Sequence, residues 1–91
     1  MPYIELSARK ELDLYINRLI QQLPRVLGKE ANDGDVNYVI TRIIDGVYSN
    51  KDYNHYNRAL GVLEAVKLEY YRRKVAEYES GKMITNGEVY K

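Results

Sequence analysis

Apolar residues recur at helical intervals in three stretches of the chain. The first stretch carries one such stripe, at Leu12, Ile16, Leu19, Ile20 and Leu23. Offsets of 4, 7, 8 and 11 predict an amphipathic helix, because residues three or four apart lie on one helical face. Ser7 is predicted to be the N-cap, since a serine hydroxyl accepts a hydrogen bond from a free backbone N–H. Pro24 and Gly28 are predicted to end the helix, because proline disfavours helical geometry in the preceding residue and glycine permits the turn out.

The second stretch carries a stripe rich in β-branched residues, at Val36, Val39, Ile40, Ile43, Ile44 and Val47. A strand competes with a helix here, because β-branched side chains pack well in sheets. The offsets of 3, 4, 7, 8 and 11 indicate a helix, since a strand would alternate with a period of two. Asp33 or Asp35 is predicted to cap this helix, after a polar connection over residues 24–34.

The third stretch predicts a helix that is too long for its own domain. It runs from about residue 53 to residue 80, with Asp52 as the predicted N-cap. At 1.5 Å per residue this helix spans roughly 42 Å, whereas a compact domain of this length is only about 30 Å across. Because the overhanging part needs a partner, we expect another copy of the chain to cover it.

The closing segment contains a strong turn signal, Asn86-Gly87. Val89 and Tyr90 follow this turn directly, and we expect the apolar pair to pack against the helices. These features together predict an all-α fold, in which residues 1–91 form a single domain. The protomer is expected to have three helices, a long third helix and a short ordered C-terminal tail, and to be oligomeric.

The charge balance and the composition exclude several classes of function. Lys and Arg number 14 against 13 Asp and Glu, a net charge of +1, so no long-range field draws the chain to DNA, RNA or an anionic membrane. The chain has no cysteine, and its single histidine, His55, cannot build a histidine-rich metal site. The opening segment lacks the apolar run of a signal peptide and no stretch could span a membrane, so we expect a cytoplasmic protein.

Enzymatic activity is not expected, and neither is a cofactor. All-α nucleotide pyrophosphohydrolases hold Mg²⁺ with carboxylates three residues apart, because that spacing directs both oxygens at one ion. Glu64 and Glu69 are instead five residues apart and about 140° around the helix, so they cannot share a metal ion. Nucleophilic catalysis has no cysteine available, and the sequence gives His55 no obvious acidic partner.

Charged residues interrupt the apolar face of the third helix. Stepping by 100° per residue places eight apolar residues on one broad arc: Tyr56, Leu60, Leu63, Leu68, Tyr70, Tyr71, Val75 and Tyr78. Glu64, Lys67 and Lys74 fall inside this arc. One interpretation is a local ion pair with a lysine whose stem lies along the apolar surface. The other is a polar pocket between helices, in which a cation beside an aromatic ring binds the base and the phosphate of a nucleotide.

The pocket hypothesis draws on two helices. Tyr38 and Arg42 lie one turn apart on the second helix, and a guanidinium group fits both carboxylate and phosphate. The run "YYRRK" at 70–74 adds positive charge, with a solvated helix flank as the competing explanation. The candidate ligand-binding residues are therefore Tyr38, Arg42, Glu64, Lys67, Tyr71 and Arg72.

Three segments, taken in order, resemble a known family. "NYVITR" at 37–42, "GVLEAVKLEYYRR" at 61–73 and "NGEVY" at 86–90 resemble a family of short uncharacterised helical proteins of bacteria and tailed phages. The chain departs from that pattern at Glu88, where an aspartate is expected, and at Lys91, which follows the closing tyrosine. The resemblance implies a bacterial host and favours a phage protein that disables host defence, but it implies no activity.

Two functions remain open at this point. The first is a non-enzymatic homo-oligomer that binds a small anionic ligand, as a phage counter-defence protein that sequesters a nucleotide or cyclic-nucleotide immune signal. The alternative is a protein-protein interaction module, either an inhibitor or a structural subunit, that acts through its Tyr-rich third helix. Ten tyrosines without Phe or Trp suit an interface. DNA binding is disfavoured, because the second helix is apolar and carries only Arg42 as a basic residue.

Overall fold

The computed structural model describes residues 2–90, and all of their regular structure is helical. The elements in chain order are α1 (Leu6–Leu27), α2 (Asp33–Val47), α3 (Tyr53–Tyr70), a π-helical turn (Tyr71–Val75) and α4 (Ala76–Asn86). The last three run on as one continuous helix of 34 residues, hereafter the long helix. The predicted all-α fold with a long third helix is confirmed.

Helix α1 differs from its prediction at both ends. It begins at Leu6, because the N–H of Arg9 already donates to the carbonyl of Glu5 at 3.0 Å, so Ser7 lies inside the helix and is not its cap. Pro24 also lies inside the helix, which continues to Leu27. Proline removes one backbone donor and its ring crowds the carbonyl of Ile20, yet the helix continues through Pro24 for one further turn. Gly28 ends the helix as predicted, in the left-handed conformation with φ 68°.

The N-terminus of α2 is closed by a capping box that the sequence analysis did not identify. Asn32 is the N-cap, and its side chain accepts a hydrogen bond from the N–H of Asp35 at 2.9 Å. The carboxylate of Asp35 in turn accepts from the N–H of Asn32 at 2.9 Å. The prediction of Asp33 or Asp35 as the cap was therefore wrong, because Asp33 is the first helical residue and Asp35 is the reciprocal partner. The prediction of a helix over the β-branched stripe is confirmed.

The long helix begins where it was predicted to begin and ends later. Asp52 is its N-cap and accepts a hydrogen bond from the N–H of His55 at 2.9 Å. The predicted end near residue 80 was wrong, because the helix continues to Asn86. Gly81 lies within it, where a glycine costs only about 1 kcal/mol relative to alanine. The helix ends at Gly87, whose φ of 94° strongly favours glycine.

The C-terminal tail makes the predicted turn but not the predicted packing. The N–H of Gly87 donates to the carbonyl of Met83 at 2.8 Å, and the N–H of Tyr90 donates to the carboxylate of Glu88 at 2.9 Å. Val89 and Tyr90 are 84% and 85% exposed. The expectation that they pack against the helices was therefore wrong for the single chain, because the hydrogen bonds of the tail are local and leave both side chains in solvent.

The chain divides into two compact units, Pro2–Lys51 with α1 and α2, and the segment from Asp52 onward with the long helix. Each unit exposes many large apolar side chains, among them Leu14 and Ile43 in the first and Leu60 and Val66 in the second. Within residues 2–90 the one apolar residue that is buried is Ala59. Neither unit in the single chain therefore has the dry, close-packed interior that stabilises a typical domain.

Candidate functional site

Glu64 and Lys67 form the ion pair that their spacing allows. The ammonium Nζ of Lys67 lies 3.7 Å from Oε1 of Glu64, one turn earlier on α3. The side chains are 74% exposed for Lys67 and 58% exposed for Glu64. A pair this exposed contributes only about 0.2–1 kcal/mol to stability, because water screens the attraction. In the single chain, the apolar face that carries both residues is open to solvent.

A shallow apolar groove runs along the long helix beside Lys67. Its volume is about 350 Å³, and its lining residues are Leu63, Val66, Lys67, Tyr70, Tyr71 and Val75. Lys67 is the one charged residue in this lining. Of the predicted ligand-binding residues, the groove brings Lys67 and Tyr71 together, one turn apart as expected. An ammonium group beside an aromatic ring can bind an anion or an acidic side chain.

The π-helical turn gives the groove its upper end. In a regular α-helix Val75 would be rotated by about 140° from Tyr70, because they are five residues apart. A π turn closes its hydrogen bonds over five residues, so that the fifth residue lies nearly above the first. Val75 consequently lines the same groove as Tyr70. Single π turns inside α-helices are frequent at functional sites.

Tyr38 and Arg42 are in contact with each other on α2. The Nη1 atom of Arg42 donates a hydrogen bond to the hydroxyl of Tyr38 at 3.1 Å, and the guanidinium carbon lies 5.9 Å from the centre of the tyrosine ring. An anion that bound to Arg42 would therefore add to, or replace, an existing contact. Arg42 belongs to the first unit and Lys67 to the second. Their convergence on one ligand stays a prediction.

Arg72 is paired within its own helix. Its guanidinium binds the carboxylate of Glu69, and Nε of Arg73 lies 3.5 Å from the other oxygen of the same carboxylate. The Glu69 side chain is only 17% exposed. A phosphate bound to Arg72 would have to compete with this partner. Sequence analysis considered Glu69 only as a metal ligand, although its spacing of three and four residues from the arginines predicts the pairing.

His55 has an acidic partner, contrary to the reading of the sequence. Its Nδ1 lies 2.9 Å from Oδ1 of Asp52, the same carboxylate that accepts the backbone N–H of His55. The backbone hydrogen bond, followed by the side-chain contact with His55, holds the pKa of Asp52 below its ordinary value of 3.8. The arrangement caps the helix, since both contacts lie within its first turn.

Within residues 2–90, no group of three or more His, Cys, Asp or Glu side chains is placed to hold a metal ion. None of the helices in this part of the chain is both long enough and apolar enough to cross a bilayer.

A protein-family model matches almost the whole chain. The chain belongs to the family described as Domain of unknown function (DUF6899), whose model matches residues 1–89. Membership of an uncharacterised domain family confirms the coarser part of the resemblance, and the setting in bacteria or tailed phages stays a prediction. No curated protein and no solved structure matches the chain.

Proposed function

We propose that this member of the DUF6899 family is a non-enzymatic interaction protein that works as an assembly of several copies. It acts through the Tyr-rich face of the long helix, which carries Tyr56, Tyr70 and Tyr71. This is the interaction module expected as the alternative from the sequence, combined with the expected homo-oligomer.

One observation supports the proposal above the others: the exposure of large apolar side chains along the long helix. Tyr56, Tyr70 and Tyr71 are 52%, 64% and 55% exposed, whereas Ala59 is buried. Soluble monomers rarely expose a contiguous apolar surface of this kind, because its hydration is unfavourable by about 25 cal/mol per Å². Tyrosine suits a surface that is wet before binding and dry afterwards, since its hydroxyl keeps a polar partner.

Native mass spectrometry of the protein purified from cells tests this proposal. The expected result is a mass that is a multiple of the 10.7 kDa of one chain, without a retained small molecule. A mass of 10.7 kDa, with no partner protein retained at micromolar concentration, would contradict it. The measurement also reports any bound anion, and so bears on the second candidate function.

The second candidate is the binding of a small anionic ligand, with sequestration of a nucleotide or cyclic-nucleotide immune signal as its role. Two observations favour it: the guanidinium of Arg42 lies over the ring of Tyr38 in one unit, and Lys67 and Tyr71 line the same groove in the other. Such pairs offer a charge for a phosphate and a flat surface for a base. Glu64 would orient one of the two cations.

Calorimetry with a panel of nucleoside phosphates and cyclic nucleotides tests the second candidate. Lys67→Ala and Arg42→Ala are expected to abolish binding, because each removes a charge-assisted contact with the phosphate. Lys29→Ala is the matched control, since Lys29 is an exposed lysine in the connection between α1 and α2. If the wild type binds no member of the panel, this candidate is wrong and the interaction protein stands alone.

A further inference from the structure

Six residues of the long helix form a stripe whose spacing is the same from either end: Tyr56, Leu60, Glu64, Lys67, Tyr71 and Val75. The successive intervals are 4, 4, 3, 4 and 4 residues. At about 100° per residue the five positions from Tyr56 to Tyr71 fall within an arc of about 80°, which fits one contact face. The π-helical turn keeps Val75 close to the same face. The outer four are apolar, and the two central ones carry opposite charges.

We infer that this stripe binds the same stripe of a second copy of the chain, with the two long helices antiparallel. The inference rests on the proposed function, and it names the partner and the register. A two-fold axis at the point midway between Ala65 and Val66 places Tyr56 opposite the partner's Val75. The same axis places Leu60 opposite the partner's Tyr71. Each apolar residue then faces another apolar residue.

The central charges determine the direction of the pair. In the antiparallel arrangement Glu64 faces the partner's Lys67, and Lys67 faces the partner's Glu64, which gives two reciprocal ion pairs across the axis. A parallel arrangement in register would instead place like charges opposite each other, at a cost in free energy. Charged residues at such positions specify register and orientation in paired helices. This accounts for a carboxylate and an ammonium on an otherwise apolar stripe.

Three tyrosines of this face supply about a third to a half of the area that a standard dimer interface requires. An aromatic side chain buries about 150–250 Å², so Tyr56, Tyr70 and Tyr71, at the exposures given above, offer roughly 250–400 Å² per copy. A standard interface needs about 800 Å² per partner. Leu60, at 65% exposure, and Val66, at 61%, add to the tyrosines.

The groove lies along one side of the stripe and joins the same contact. A two-fold axis perpendicular to both helices brings the same flank of each copy together. Leu63 of one copy therefore lies near the partner's Val66 and the partner's Tyr70, at neighbouring heights along the helices. The π-helical turn keeps Val75 on this side of the helix, which extends the apolar contact by a further turn.

Disulfide cross-linking tests the pairing without any background, because the natural chain has no cysteine. In the double variant Leu60→Cys/Tyr71→Cys, the new cysteine at position 60 of each copy faces the new cysteine at position 71 of the other copy. Facing Cα atoms on helices 8–10 Å apart come within disulfide reach. Mild oxidation of this variant is expected to convert it to a covalent dimer of twice the chain mass.

The single variants Leu60→Cys and Tyr71→Cys are the matched controls. In the antiparallel pair the two copies of residue 60 are about 16 Å apart along the helices, which is too far for a disulfide. Both single variants are therefore expected to stay uncross-linked. Tyr56→Cys/Val75→Cys provides a second facing pair, should the first double variant lose its helicity.

Each other outcome overturns the inference in a distinguishable way. Cross-linking of the single variants indicates parallel helices, and leaves the proposed assembly intact. An uncross-linked double variant with an oligomeric mass places the interface on another surface, and again leaves the proposed function standing. A monomeric mass for the wild type, with no cross-link in either double variant, overturns the inference and the proposed self-assembly together.

Discussion

Lys67 lies 3.7 Å from Glu64 on the same helix, and both side chains are open to solvent. Within one chain this contact is a weak surface pair. In the proposed antiparallel pair of chains the same residues would form a network of four alternating charges at the centre of an apolar face. In the first role the pair slightly stabilises one helix. In the second role it strengthens the association of two chains and fixes their direction.

Reversing the charges separates the two roles. Glu64→Lys would place four positive charges at the centre of the pair, and we expect the dimer dissociation constant to rise about tenfold. This corresponds to about 1.4 kcal/mol, from the loss of two exposed ion pairs and the added repulsion. Adding Lys67→Glu should restore the affinity, because the facing charges are opposite again. Analytical ultracentrifugation would measure both variants, and equal affinity in all three proteins would contradict the proposed register.

A charge in the groove should also break the assembly. Tyr70→Glu and Leu63→Asp each bring an unpaired carboxylate into the contact, and burying such a group costs several kcal/mol. We expect light scattering to report the mass of a single chain for both variants, with the helical circular dichroism retained. Ile84→Glu is the matched control, since Ile84 is highly exposed on α4 outside the stripe. Assembly that survives Tyr70→Glu would mean that the groove lies outside the interface.

The capping box of α2 should contribute measurably to stability. Asn32→Ala removes the acceptor for the N–H of Asp35, and we expect a loss of about 1 kcal/mol in the free energy of unfolding. Asn32→Ser is the control, because serine is an equally good N-cap and should lose only a few tenths of that amount. Urea denaturation followed by circular dichroism would measure both variants. Equal stability of the alanine and serine variants would show that the cap is not needed.

Most of the secondary structure could be predicted from the sequence, because it depends on local spacing. The stripes of α1 and α2 and the Asp52 cap are of this kind. The Asn32 cap was missed because Asp33 and Asp35 lie beside it, and only the backbone geometry selects one of three capping residues. The π turn could not be predicted, since α and π hydrogen bonding differ by a single residue in register. The ion pairs of Glu69 could have been predicted from the helical spacing rule. The solvent exposure of Glu64 and Lys67 could not, because spacing along one helix does not show what covers its face.

The cap of the long helix should lose its contribution in acid. The folded-state pKa of Asp52 lies below 3.8, so its ionised form stabilises the fold above that pH. This contribution is lost as the pH falls through the lowered folded-state pKa. Asp52→Asn keeps an acceptor but does not titrate. Melting curves of the two proteins should therefore differ at neutral pH and converge in acid, and a difference that is independent of pH would contradict this assignment.

The molar mass of the wild-type protein in solution shows whether the chain associates with itself. Sedimentation equilibrium, from below one micromolar to tens of micromolar protein, separates self-association from a stable monomer. We expect a mass of at least twice the 10.7 kDa of one chain at the upper concentrations, falling as the protein is diluted through its dissociation constant. A constant mass of 10.7 kDa over the whole range would contradict it.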